Sequence, residues 1–137
     1  MAKVFNINET KVVTLTCDND LQEEEKSKFT IARIGSRLES HILDKTTKYN
    51  INDIAGEKKV NADIDFNSSS DMYMQFGLIA WENFGIQIEF TDVVVSGVGT
   101  FKGLSQKCMD ALKPYRIELG GLIRDFSNLN EDEKKNF

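Results

Sequence analysis

Residues 70–85, SDMYMQFGLIAWENFG, are the stretch of this sequence that bears most on the fold. Ser70 can accept a hydrogen bond at a helix N-cap, and Asp71 then places a negative charge at the favoured end of the helix dipole. Gly85 is typical of a helix end. The pattern therefore predicts a helix over residues 71–84. Its apolar residues form two stripes, one of Met72, Phe76 and Ile79 and the other of Met74, Leu78 and Trp81.

A helix that packs on one face of a sheet buries one apolar stripe, so the two stripes of this helix need packing partners on two sides. The second partner can be the last helix of the chain, a neighbouring subunit or a partner protein. Adjacent glycines in the last helix permit close packing, methionines adapt to varied contacts, and a buried Trp is a common interface anchor. The five candidate partner-binding residues are Met74, Leu78, Trp81, Gly120 and Gly121.

Three runs near the start of the chain alternate apolar and polar residues with the period of a β-strand. Their spacing suggests an antiparallel meander. In the second run Val13, Leu15 and Cys17 share one face, which places the Cys17 thiol in the core. The acidic segment of residues 18–28 predicts an exposed loop. The three runs are residues 4–7, 11–17 and 28–34.

A helix is expected directly after the third run. Ser36 is placed as an N-cap, and Glu39, three residues on, completes a capping box. This helix extends to about Lys45 and buries Leu38 and Ile42.

The middle of the chain is less regular in pattern. Residues 46–70 are rich in Asn, Asp, Ser and Lys and predict a loop or an insertion, although alternation over residues 60–66 leaves a strand as an alternative. A strand of the main sheet is expected over residues 86–95. Residues 96–103 are interpreted as a glycine-rich loop.

The last third of the chain predicts a helix with one continuous apolar stripe that Pro114 kinks or breaks. Residues 128–137 form a charged tail that we expect to be flexible.

Taken together, residues 1–137 predict a single α+β domain, with an antiparallel sheet of about four or five strands packed against two or three helices. The apolar stripe predicted for the last helix consists of Cys108, Leu112, Tyr115, Leu119, Leu122 and Phe126.

Composition narrows the classes of partner. The net charge is -5 and the sequence pI about 4.9, which argues against nucleic acid, since phosphate binding needs clustered Lys and Arg. We find no signal peptide and no apolar run long enough to span a bilayer, so we expect folding in a cytoplasm without a membrane. The two distant cysteines, Cys17 and Cys108, are expected to be reduced core residues.

The sequence offers few groups for chemistry. His41 is the only histidine, and no carboxylates or cysteines surround it at metal-ligand spacing. Asp63 and Asp65 would share one face of a strand, which more often is a solvated face than a cation site. Glycines and a lysine in residues 97–103 lack the order of a phosphate-binding loop. We therefore expect no catalytic residue, cofactor, metal or small-molecule substrate.

Three pairs of segments, together about a third of the chain, combine a strand-then-helix opening, a helix end leading into a strand, and a closing helix with a charged tail. They are KFTIARI (28–34) with SRLE (36–39), GLIAWENF (77–84) with QIEF (87–90), and LGGLIRDF (119–126) with LNEDEKKN (129–136). In this combination the chain resembles small structural and assembly proteins of tailed bacteriophages, such as tail assembly chaperones and head-tail components.

The resemblance implies a non-enzymatic role in virion assembly or structure. The implied partners are other phage structural proteins or further copies of the chain as a homo-oligomer, and the implied location is the virion or the host cytoplasm. An alternative hypothesis is a phage- or plasmid-encoded inhibitor that blocks a host protein through its acidic surface.

Overall fold

The computed structural model describes residues 9–54 and 56–128, with the backbone alone for residues 48–54 and 57–64. The α+β class with antiparallel strands is confirmed. In chain order the α-helices and strands of this part are β1 (Thr10–Thr14), β2 (Lys28–Ala32), α1 (Ser36–Thr46), β3 (Thr47–Ile54), β4 (Glu57–Ile64), α2 (Phe66–Gly77), β5 (Leu78–Glu82), β6 (Phe90–Val95), β7 (Gly99–Leu104), α3 (Gln106–Leu112) and α4 (Arg116–Ser127).

The strands are divided among three antiparallel sheets in the described residues: β1-β2-β5, the hairpin β3-β4 and the hairpin β6-β7. In the three-stranded sheet β2 is central, and its Phe29 and Ile31 are fully buried. Val13 of β1 and Trp81 of β5 lie opposite Phe29, so these three residues share the face that turns toward the helices. The apolar alternation that predicted β2 thus also sets which sheet face is buried.

Helix α2 differs at both ends from the helix predicted over residues 71–84. Its N-cap is Asp65, whose carboxylate accepts a hydrogen bond of 3.2 Å from the Ser68 amide, so the helix begins five residues earlier, at Phe66. Ser70 is therefore an interior helical residue and caps nothing. The helix ends at Gly77, because Leu78–Glu82 joins β2 as strand β5 and satisfies its backbone groups in the sheet.

The segment over residues 46–70, predicted as a loop or an insertion, consists mainly of regular elements in its described residues, namely β3, β4 and the start of α2. Strands β3 and β4 pair in register from Thr47 opposite Ile64 to Ile54 opposite Glu57. The alternative of a strand in this segment is thus the one observed, although it ends before Asp65.

Two other boundaries were predicted wrongly in the second half. The predicted strand over residues 86–95 starts only at Phe90. Just before it, the Glu89 backbone bonds to helix α3 and its cap: the Glu89 amide donates to Cys108 Sγ at 3.4 Å, and the Ser105 amide donates to the Glu89 carbonyl at 2.9 Å. The predicted glycine-rich loop over residues 96–103 is mostly strand β7. Only a short turn remains, where Gly97 has a positive φ of 79°.

The first helix and the first strand also need corrections. The N-cap of α1 is Gly35, so Ser36 is the first helical residue and forms no capping box; Glu39 instead accepts a hydrogen bond of 2.9 Å from the Tyr73 hydroxyl. Strand β1 ends at Thr14, and residues 16–18 turn into a short 3-10 helix. This turn breaks the strand alternation and leaves Cys17 exposed, so its predicted place in the core is wrong.

The C-terminal helical region matches the predicted stripe. Pro114 lies in a 3-10 turn, Lys113–Tyr115, that separates α3 from α4. Cys108, Leu112 and Leu119 are fully buried, as expected. The predicted strand over residues 4–7 lies outside the described residues, as does the tail beyond Asn128.

Helices α2 and α4 approach each other closely at Gly120. A Cβ atom at this position would lie 2.5 Å from the Ser70 carbonyl oxygen and 2.6 Å from the Ser70 Cα. At Gly121, among the described residues and outside the backbone of the same helix, a Cβ would meet only the end of the Arg124 side chain, at 4.0 Å. The two adjacent glycines therefore differ sharply in the space around them.

We expect Gly120→Ala to lower the free energy of unfolding by about 1–3 kcal/mol, because rigid backbone must move away from the new methyl group. Gly121→Ala is the matched control and should be neutral or stabilise the protein by up to about 1 kcal/mol, since alanine has the higher helix propensity. Urea unfolding of both variants measures the difference. Equal stabilities of the two variants would contradict the close approach.

Candidate interaction site

Three of the five predicted partner-binding residues are enclosed by the chain itself. Met74 and Leu78 are fully buried, and Gly120 is buried against Ser70. These three therefore offer no surface to a partner. The reason is the early end of α2: Leu78 belongs to β5, so the second stripe of a long helix does not exist, and α4 covers α2 within the chain.

Trp81 and Gly121 are the two predicted residues that keep partial exposure. Trp81 lies on β5, and its indole Nε1 donates a hydrogen bond of 2.8 Å to the Ile86 carbonyl. Its ring packs edge-to-face against Phe84, with centroids 5.3 Å apart, and against Phe29 at 6.2 Å. Trp81 thus ties the loop after β5 to the sheet, which is a structural role within the chain.

The loop after β5 is also fixed by polar contacts. Asn83 adopts a positive φ of 56°, and its side-chain amide donates to the Glu24 carbonyl at 2.9 Å and to the Lys26 carbonyl at 3.3 Å. Ser27 Oγ donates to the Asn83 carbonyl at 2.6 Å. These contacts hold the acidic segment of residues 18–28 against the end of β5.

Two of the groups considered for chemistry, His41 and Asp65, lie on different elements of the fold, and the side chain of Asp63 lies outside the described part of the chain. His41 is half-buried on α1, and Asp65 is engaged as the cap of α2. Within residues 9–54 and 56–128 there is no group of three or more His, Cys, Asp or Glu residues that could hold a metal ion. No helix in this part of the chain combines the length and apolarity needed to cross a membrane.

One polar cleft lies between α2, α3 and the start of α4, with a volume of about 340 Å³. Asp71 and Arg116 form an ion pair across it at 3.5 Å, and Gln106 donates a hydrogen bond to Asp110 at 2.9 Å. The lining also contains Lys113, so two acidic and two basic side chains face it. This balance does not select a ligand of either charge.

The β3-β4 hairpin has the features of an interaction site. Each strand has eight residues, and in the described residues each pairs only with the other. The outer edge of β3 and that of β4 therefore carry backbone N–H and C=O groups with no strand partner there, and such edges readily accept another strand.

The register of the hairpin, hereafter the β3-β4 ribbon, divides its residues between two faces. Cross-strand partners share a face, and the face alternates along each strand. One face combines Thr47 with Ile64, Tyr49 with Ala62, Ile51 with Val60 and Asp53 with Lys58, while the other combines Lys48 with Asp63, Asn50 with Asn61, Asn52 with Lys59 and Ile54 with Glu57. Apart from the two pairs next to the turn, the ribbon is therefore amphipathic by position, which a protein partner can use.

Sequence reasoning did not identify the ribbon as a candidate interaction site. The signal was the alternation of Val60, Ala62 and Ile64 with Asn61 and Asp63, which indicated one strand. The matching strand β3 has weaker alternation, and Gly56, at the turn with a positive φ of 78°, was not read as a hairpin connection.

Comparisons with protein-family models, with curated proteins and with solved structures find no match for this chain.

Trp81→Ala is expected to lower the free energy of unfolding by about 3 kcal/mol, because it removes the indole from its aromatic neighbours and frees the Ile86 carbonyl. Trp81→Phe keeps the ring packing and loses one hydrogen bond, so it should cost about 1 kcal/mol. Urea unfolding ranks the two variants. If Trp81→Ala were as stable as the wild type, the role assigned to Trp81 within the chain would be wrong.

The two thiols should differ in reactivity. Cys17 is exposed and should react with a thiol reagent in the native state, whereas buried Cys108 should react only on unfolding. Desolvation, followed by the Asp18 carboxylate, raises the pKa of the Cys17 thiol. Since only the thiolate reacts, the Cys17 rate should still be rising above about pH 8.5.

The control for this labelling is Cys17→Ser, which should leave the native protein unreactive. Asp18→Asn should lower the pKa of Cys17 and increase its rate at about pH 8, because a negative neighbour is removed. Rapid native labelling of Cys17→Ser would show that Cys108 is accessible and would contradict its burial.

Proposed function

We propose that this chain is a non-enzymatic bacteriophage virion assembly or structural protein that acts through protein-protein contacts. The observation that carries the proposal is the β3-β4 ribbon, whose two edges have no strand partner in the described residues. A protein of this kind works by docking on other subunits, and strand addition to a free edge is a common mode of docking.

The contacts at the root of the ribbon support a role in docking. The Asp65 amide donates a hydrogen bond of 2.7 Å to the Thr46 carbonyl, so the two ends of the ribbon meet at its root. The helices on either side, α1 and α2, begin or end at this point. The chain therefore enters and leaves the ribbon at one point, between the end of α1 and the start of α2.

The sequence resemblance to small tailed-phage proteins supports the choice of virion assembly among the many roles of binding proteins. Partners of this class are other phage structural proteins or further copies of the chain, and the chain then resides in the virion or in the host cytoplasm. The function needs no cofactor and no small-molecule substrate.

Inhibition of a host protein is the second candidate function. Glu23, Glu24 and Glu25 are exposed in a 3-10 turn, and the whole chain has a net charge of -5. An exposed acidic segment can occupy a basic site on a host protein. This candidate places the contact at residues 23–25, far in sequence from the ribbon.

Affinity purification of the tagged chain from the cells that naturally produce it, followed by mass spectrometry, tests the proposal. We expect phage head or tail proteins among the partners, and the chain itself in purified particles or in assembly intermediates. A host enzyme as the main partner, inhibited by the chain, would favour the second candidate and contradict the first.

The matched control is a variant in which residues 47–64 are replaced by Gly-Gly. The hydrogen bond between Thr46 and Asp65 shows that the ends are close enough for this connection. We expect the variant to keep Cys108 protected from thiol reagents and to lose the phage partners. Unchanged partners in the folded variant would show that the ribbon does not carry the contact.

A further inference from the structure

The hydrogen bond at the root of the ribbon determines which backbone groups face its outer edge. Asp65 N–H donates to the Thr46 carbonyl, and this pair continues the register that sets Thr47 opposite Ile64. In an antiparallel ladder, hydrogen-bonded and non-hydrogen-bonded pairs alternate. The odd-numbered residues of β4 therefore bond toward β3, and the even-numbered residues 58–64 direct their N–H and C=O groups to the outer edge.

We propose that two copies of this chain associate through the outer edges of their β4 strands, antiparallel and centred on Asn61. The result is a four-stranded antiparallel sheet with a two-fold axis at Asn61. The outward backbone groups of Val60 then meet those of the partner's Ala62, and the reverse holds across the axis. The strands overlap over residues 58–64.

Charge selects this alignment among those that the edge permits. With Asn61 at the centre, Lys59 occupies the position opposite the partner's Asp63, and this opposite-charge pair occurs twice. Opposite charges at facing positions stabilise an antiparallel pair, and like charges destabilise it. A centre at Val60 sets Glu57 opposite the partner's Asp63, and a centre at Ala62 shortens the overlap.

The faces of the ribbon fit the same alignment. Facing residues are both even or both odd, so the apolar positions of the two ribbons lie on one side of the combined sheet. An isolated hairpin is marginally stable in water, whereas three or more strands with an apolar face form a stable sheet. Pairing therefore stabilises each ribbon as well as the dimer.

The outer edge of β3 lacks this complementarity. Its only charged residues are Lys48 and Asp53, one even and one odd. Alignments that keep the apolar positions on one side never set these two opposite each other. The charge pattern thus assigns the self-association to β4.

This inference specifies the self-association included in the proposed function, yet it is tested on the purified chain and is decided whether or not the chain enters a virion. The measurement is the mass in solution by light scattering and sedimentation over a concentration series. We expect a dimer for the wild type. A wild-type monomer at all concentrations would overturn the inference.

Two charge variants make the test specific to the alignment. The first is Lys59→Asp. The second is Asp63→Lys combined with Lys48→Asp, because positions 48 and 63 face each other within the ribbon and keep opposite charges this way. Alone, each variant sets like charges opposite each other twice, and its dimer dissociation constant should rise about tenfold or more.

An equimolar mixture of the two variants restores both opposite-charge pairs, since Asp at position 59 of one chain faces Lys at position 63 of the other. We expect heterodimers with near-wild-type affinity, detected with a mass tag on one variant. Lys107→Asp, an exposed change on α3, is the control and should leave the dimer intact. Undiminished dimers of either variant alone, or a mixture that fails to pair, would overturn the β4 alignment.

Discussion

The close approach of α2 and α4 is the constraint on which the rest of the fold depends. Gly120 of α4 lies against the backbone of Ser70, and Gly77 at the end of α2 lies against Ile123 of α4. At Gly120 backbone lies against backbone, and at Gly77 the Ile123 side chain occupies the space that a Cβ would need. Helix α2 ends at Gly77 within this packed pair, and the chain passes directly into β5, which pairs with β2. The helix pair and the three-stranded sheet are thus joined through one short stretch of backbone.

Local patterns in the sequence predicted the elements that depend on local physics. The alternation in β2, the stripe that includes Cys108 and Leu119, and the break at Pro114 each arise from residues close together in the chain, and these predictions agree with the structure. The length of α2 was predicted wrongly because its end depends on pairing with β2, about 50 residues away in sequence. The pattern of residues 70–85 suits a helix, but backbone pairing in the sheet overrides that preference.

The candidate site was harder to predict than the fold. Met74 and Leu78 were assigned to a partner because a long helix would carry two apolar faces, and the shorter helix removes that reason. Gly120 was assigned because adjacent glycines permit close packing, and in the structure that packing is against Ser70 of the same chain. Cys17 was placed in the core because alternation was extended past the end of β1, where the chain instead turns and Glu118 accepts hydrogen bonds of 2.9 Å from the Thr16 amide and hydroxyl. Such long-range contacts leave no periodic trace in the sequence.

The ends of α1 and α2 at the root of the β3-β4 ribbon are fixed by hydrogen bonds within or next to each helix. Thr46 ends α1 with its hydroxyl bonded to the Ile42 carbonyl at 2.7 Å, and Asp65 caps α2 through Ser68, so both helices are terminated by contacts of their own. The ribbon begins and ends between these two caps. The ends of α1 and α2 next to the ribbon are therefore fixed by contacts that lie outside its two strands. At Gly120, by contrast, an added Cβ would meet the backbone of Ser70, so the packing of α2 on α4 depends directly on the identity of this residue.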